Sequence, residues 1–244
     1  MSWPITWATA KRVLTQLSHD HRTVALLILV PSLLMVLLRF VFDDDAIFDR
    51  IGLPLLGVFP LIIMFLITSV AMLRERTSGT LERLLTTPMH KLDLLLGYGI
   101  AFAVAAAAQA AVATATAYLL LGLDTQGAWG WVVAFAVGNA VLGMALGLLV
   151  SAFARSEFQA VQFMPAIVLP QFLTCGLLIA RDQMAGWLEA ISNVLPMSYA
   201  VEGLQEIGAQ AEVTGTLVRD LTVVLGATVL ALGLGALTLR RRSG

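Results

Sequence analysis

The chain has 244 residues, of which 59% are hydrophobic and 13% charged, with a formal net charge of -1 and a mean hydropathy of +0.87. Soluble domains run near ~45–50% apolar and ~25% charged, so these values exclude an ordinary soluble domain and point to an integral membrane protein. The single cysteine, Cys175, excludes an intrachain disulfide framework, no His/Cys cluster has metal-ligand spacing, and no basic block suggests nucleic acid.

In residues 1–22, Trp3, Trp7, Ala10, Leu14 and Leu17 recur at three- and four-residue steps, with Lys11, Arg12 and Thr15 on other faces. This pattern predicts an amphipathic helix lying in a membrane interface, with tryptophan at headgroup depth. The apolar stretch that follows Arg22 is too long for a cleavable signal peptide and lacks a small-x-small exit. A spanning helix needs ~20 apolar residues. The apolar runs predict spans at 24–42, 51–73, 94–123, 128–153, 158–180 and 217–239. Prolines fall inside several of them (Pro31, Pro54, Pro60, Pro165 and Pro170), which membrane helices tolerate because neighbours re-satisfy the freed carbonyls. The expected fold is therefore all-α and integral to the membrane, with six transmembrane helices in a single domain over 1–244. Gly143-Met-Ala-Leu-Gly147 gives the fourth span a small-xxx-small face for close helix approach.

Charge orients these spans. Alternating sides places Lys11, Arg12, Arg22, Arg74, Arg76, Arg83, Lys91, Arg155, Arg240, Arg241 and Arg242 together, against Arg50, Arg181 and Arg219 on the other side. Asp43, Asp44, Asp45, Asp49, Asp124, Asp182, Glu189, Glu202, Glu206, Glu212 and Asp220 mirror that bias. Positive charge marks the cytoplasmic face, so both termini are expected on the cytoplasmic side.

The connection between the second and third spans runs from Arg74 to Gly97 and reads as a helix, a break and a second helix. Ser78 or Gly79 can cap the first, Glu82 compensates its orphan amides, and Leu81, Leu84 and Leu85 give it an apolar ridge. Thr87 then precedes Pro88, which is favoured at the first position of a new helix. A short helix with an apolar ridge and charged flanks is shaped for a partner's groove, although an ordinary amphipathic loop helix has the same pattern.

The segment Glu75-Arg-Thr-Ser-Gly-Thr-Leu-Glu-Arg-Leu-Leu-Thr-Thr-Pro88, followed by Gly97, resembles the signature of the type 2 ABC exporter permeases, and within that family the chain is similar to the short drug-exporter permeases. The resemblance implies that Glu75, Arg76, Gly79, Thr80, Leu81, Glu82, Leu84, Leu85 and Pro88 form a coupling helix that docks on a nucleotide-binding ATPase subunit. A second segment, Asn193-Val-Leu-Pro-Met-Ser-Tyr-Ala200, is similar to the family's Pro-x-x-Tyr element. It implies short extracellular or re-entrant helices between the fifth and sixth spans.

The spans hold almost no ionisable groups (Arg39 near one end can snorkel), which argues against ion-coupled transport. No Gly-x-x-x-x-Gly-Lys-Ser/Thr phosphate loop is present. The resemblance then implies ATP and Mg on the partner chain, no cofactor or catalytic residue on this one, and a second permease, identical or related, beside it. The polar residues within spans are Thr68, Ser69, Gln109, Asn139, Gln159, Gln162 and Gln171. Helix–helix hydrogen bonding is the plainest role for each; Gln109, Asn139, Gln162 and Gln171 are the candidates for lining a pathway. The apolar spans favour drug-like or lipid-like cargo. Export of polysaccharide or lipid-linked glycan, and a non-transporting assembly protein, remain alternatives.

Overall fold

The structure is a computed structural model that describes residues 2–78 and 91–238. Its helices are α1 (Trp3–His19), α2 (His21–Phe42), α3 (Asp45–Thr77), α4 (Lys91–Leu119), α5 (Trp129–Val150), α6 (Glu157–Thr174), α7 (Gly186–Ser192), α8 (Pro196–Ala209) and α9 (Gly215–Thr238), with a 3-10 turn at Arg181–Gln183. No strand occurs among the described residues. Five of these helices, α2, α3, α4, α5 and α9, are long and apolar enough to cross a membrane. α6 falls short of that standard, because its 18 residues include Glu157, Gln159, Gln162 and Gln171.

The centre of the bundle is the α3–α5 pair. Gly143 and Gly147 of α5 lie against the α3 backbone: a Cβ added at Gly143 would stand 2.2 Å from the Leu61 carbonyl oxygen, and one at Gly147 would stand 2.6 Å from that of Phe65. The small-xxx-small face thus has its partner, and close contact replaces the side-chain volume that a larger residue would bring. Asn139, fully buried, donates from Nδ2 to the Gly57 carbonyl oxygen at 2.9 Å and fastens the same pair. Around this pair, Leu56, Leu61, Phe65, Phe135 and Leu142 form the largest apolar cluster, joined by Met197, Val201 and Leu204 of α8. α4 packs on the other side of α5, and α9 closes a third side. α2 presents Leu26, Leu29, Leu33 and Leu37 outward, and α9 presents Val218, Leu225 and Val229. Such faces suit lipid rather than water.

Several helix boundaries differ from those expected, each for a local reason. α2 begins at His21 because Asp20 caps it, accepting from the Thr23 amide and hydroxyl. It ends where Asp43 adopts the left-handed conformation (φ 45°). α3 runs 33 residues, beyond 51–73 at both ends. Asp44 caps its start by accepting from the Ile47 amide, and at its far end charged side chains, not lipid contacts, hold the extra turns. At ~1.5 Å per residue, α3 is about 50 Å long, well over the ~30 Å of a bilayer core. α6 stops at Thr174, short of the expected 180, and Gly176 follows with φ +91°. That conformation favours glycine and breaks the helix, so the apolar run Leu177–Ala180 is not helical.

Candidate functional site

α3 leads into residues 79–90 and α4 leads out of them, so the ends of these two helices carry whatever that connection does. α1 lies across both. Thr6, Thr9, Ala10 and Val13 form its buried face, packed on Leu94, Tyr98 and Ala101 of α4. Gly97 makes this approach possible: a Cβ there would meet the Thr9 Cβ at 2.6 Å and the Thr6 carbonyl oxygen at 2.9 Å. Asp93, fully buried in the first turn of α4, accepts from the Ser2 amide at 2.9 Å and anchors the start of α1. The outer face of α1 shows Trp3 and Trp7, 64% and 59% exposed. The apolar stripe expected in residues 1–22 is therefore divided: the tryptophans face outward, and Ala10 faces inward beside threonines.

Arg12 joins three helices. Its Nη2 donates to the Tyr98 hydroxyl of α4 at 2.6 Å, its Nη1 lies 3.7 Å from Glu75 Oε1 of α3, and its guanidinium stands 5.6 Å from the Tyr98 ring centroid. The Glu75 side chain is only 16% exposed, so an ion pair here is less screened than a surface one. Glu75 Oε2 and Arg76 Nε are both buried without a hydrogen-bond partner among the described residues. Buried polar groups in folded proteins are nearly always paired. The Glu75 charge is met by Arg12, so Arg76 Nε is the cationic group at the end of α3 left without a hydrogen-bond partner among the described residues.

One residue before Glu75, Arg74 turns the opposite way. Its Nε and Nη2 donate to the two carboxylate oxygens of Glu157, at 2.7 and 3.0 Å, forming a fork at the start of α6. Ser156 caps α6 by accepting from the Gln159 amide, and a carboxylate in the first turn also suits the helix dipole. The Arg74 hydrogen bonds hold the Glu157 carboxyl below its usual range. Beneath the fork, Leu73, Ala154 and Ala160 pack together with Val70 and Phe163.

The opposite end of the bundle carries a second polar assembly. Arg181 and Arg219 both pair with Glu202 of α8, and their guanidiniums stand 5.3 and 5.6 Å from the Tyr199 ring centroid. Tyr199 donates its hydroxyl to the Asn193 carbonyl oxygen at 2.7 Å, and Arg219 also reaches the buried Asp220. Arg181, Asn193, Tyr199, Glu202 and Arg219 help line a cavity of about 860 Å³ between α8, the start of α3 and the stretch that follows α6. Tyr199 is the tyrosine of the Pro196-x-x-Tyr199 element, which thus organises the two arginines.

Residues 5–208 match the family described as ABC-2 type transporter. This chain belongs to the ABC-2 type transporter family. Relatives include the probable multidrug ABC transporter permease YbhS of Escherichia coli K12, 26% identical over 208 residues, 84% of this chain and 55% of that protein. The probable doxorubicin resistance ABC transporter permease protein DrrC of Mycobacterium tuberculosis H37Rv is 25% identical over 243 residues, 95% of this chain and 87% of that one. The linearmycin resistance permease protein LnrN of Bacillus subtilis 168 is 27% identical over 170 residues, 68% of this chain and 43% of that protein. The chain thus spans about half the length of YbhS and LnrN and most of DrrC.

In this ABC-2 type chain, Glu75 and Arg76 sit at the tied end of α3, while Gly79, Thr80, Leu81, Glu82, Leu84, Leu85 and Pro88 lie outside the described residues. The four pathway candidates are dispersed. Gln109 is buried on α4 with neither amide atom partnered, Asn139 is bound to Gly57, Gln171 donates to the Ile167 carbonyl oxygen of its own helix, and Gln162 is exposed on α6. None of the four lines the 860 Å³ cavity. Arg12, Tyr98, Asp93 and the Arg74–Glu157 fork are functional candidates that the sequence pattern did not single out. The fork had one usable signal: charges of opposite sign at the helix ends of two connections assigned to the same side.

Proposed function

We propose that this chain is the membrane permease subunit of an ATP-driven exporter in the bacterial cytoplasmic membrane. ATP is hydrolysed on a separate nucleotide-binding subunit, and residues 79–90 with Glu75 and Arg76 receive that subunit. In this reading α6 is the fifth of six spans, α7 and α8 are the short extracellular helices, and both termini face the cytoplasm. Two permeases, identical or related, enclose the route.

The match of residues 5–208 to the ABC-2 type transporter family carries the proposal. The geometry supports it. Arg12 ties α1, α3 and α4 into one block beside residues 79–90, so a push on that connection moves three helices together. The buried Arg76 Nε, without a hydrogen-bond partner among the described residues, fits an end that is completed by a second protein. The names of YbhS, DrrC and LnrN, together with the apolar outward faces, favour amphipathic, drug-like cargo.

Co-purification tests the reading. The chain brings down an ATPase subunit, and inside-out vesicles holding both accumulate the fluorescent amphipathic amine doxorubicin only when ATP is present. If no ATPase accompanies the chain and its loss leaves drug susceptibility unchanged, the exporter reading falls and a membrane assembly protein takes its place.

A further inference from the structure

Arg74 and Glu75 are consecutive, yet they hold different parts of the molecule. A step of ~100° around a helix sends neighbouring side chains to different faces. Glu75 faces Arg12 and thereby α1 and α4, whereas Arg74 faces Glu157 and thereby α6. The end of α3 therefore branches toward two sets of helices. One branch is broad and well packed: α1 is seated on α4 through Gly97. The other joins α3 to α6 directly, through the fork and the packing of Val70, Leu73, Ala154, Ala160 and Phe163 beneath it.

α6 packs on α3 and, at its far end, on α7 and α8, where Ser192 donates to the Thr174 carbonyl oxygen at 2.8 Å. Its other side is open, with Phe158, Gln162, Leu169 and Leu173 exposed. Pro165 and Pro170 lie in its middle. They lack amide protons, so the carbonyls of Val161 and Ala166 lose their helical partners, and the helix is weakened there against bending. The segment before Pro165 can thus swing while the far end stays fastened. Among the described residues, the polar connection across the α3–α6 gap at its near end is the two-pronged Arg74–Glu157 fork.

We propose that the Arg74–Glu157 fork is the strut that transmits movement of the α3 end to the first half of α6, with Arg74 as a positioning residue for that movement. This inference rests on the exporter reading above. The fork is suited to the task because two parallel hydrogen bonds fix direction as well as distance. It is unsuited to a purely structural role: the two side chains are 60% and 53% exposed, and exposed ion pairs add little to stability.

The test uses the chain together with the ATPase subunit that co-purifies with it, and compares the ATPase rate of the complex with that of the isolated subunit. Arg74→Gln and Glu157→Gln shift the thermal midpoint of the complex by no more than about 2–4 °C. They reduce the permease's effect on the ATPase rate by about five-fold or more. The exchange Arg74→Glu with Glu157→Arg restores that effect, whereas Arg74→Lys, which lacks the fork, restores it only in part. The proposal is overturned if Arg74→Gln retains the full effect, if the exchange fails to restore it, or if loss of the effect is accompanied by a large drop in midpoint. If the unaltered chain binds no ATPase or leaves its rate unchanged, the exporter reading fails instead, before the fork is at issue.

Discussion

The backbone of α3 at Leu61 fills the place where a side chain on Gly143 would begin, with only 2.2 Å between the Leu61 carbonyl oxygen and the position a Cβ would take. Neither helix can yield to a methyl group there without moving its backbone. Gly143→Ala should therefore destabilise the chain by about 1–3 kcal/mol. Gly226→Ala is the matched control, because a Cβ there meets nothing within 4 Å. It should leave stability unchanged or raise it by up to about 1 kcal/mol, through the helix preference of alanine. Thermal unfolding of the two variants in the same detergent checks both.

Gly97 and Gly99 offer a second comparison within two residues. Gly97 touches α1 through Thr9 and Thr6, whereas a Cβ at Gly99 meets nothing within 4 Å. Gly97→Ala should loosen α1 by about 1–3 kcal/mol, and hydrogen exchange at α1 amides should rise about 5- to 150-fold. Exchange in Gly99→Ala should match the parent.

Glu82→Lys reverses a charge in the segment proposed to meet the ATPase. The variant should insert and accumulate normally, yet lose ATP-dependent drug accumulation in vesicles and stimulation of the ATPase. Retention of both activities would remove Glu82 from the coupling set.

The Arg74–Glu157 fork has a defined pH range. Arg74 holds the Glu157 carboxyl below its ordinary range. A lowered carboxylate contributes stability that is present above the unfolded pKa and is lost as pH falls through the folded one. The fork should thus be intact throughout the neutral range and open only below the normal carboxylate range, under ~4.3. Coupling of ATPase rate to the permease should be flat from about pH 6 to 8 in the parent. A Glu157→His variant should respond across that window, because histidine titrates near ~6.5.

The membrane class and the centres of the long helices were legible because apolar runs near twenty residues have few other uses. The helix ends were less so. Residues Arg74–Thr77 carry α3 past its apolar run because Arg12 and Glu157 hold them, and those partners lie 63 and 83 positions away from Glu75 and Arg74. Arg12 looked like the solvated side of an amphipathic helix until its partner Tyr98, 86 residues on, came into place. Gly143 and Gly147 announced a close approach without naming α3 as the surface approached. Among the pathway candidates, a polar residue in an apolar run signals a need for partners but not their direction. Gln109 turns inward and Gln162 outward from comparable surroundings in the sequence.

The tryptophans give the molecule an optical ruler. Trp3 and Trp7 lie on the free face of α1, at the end where α4 begins, while Trp129 and Trp187 are exposed beyond the end where α4 finishes. Indole emission is quenched by brominated acyl chains according to depth. Chains keeping only one of these pairs therefore report where each rim of the bundle rests in a bilayer, with no dye attached.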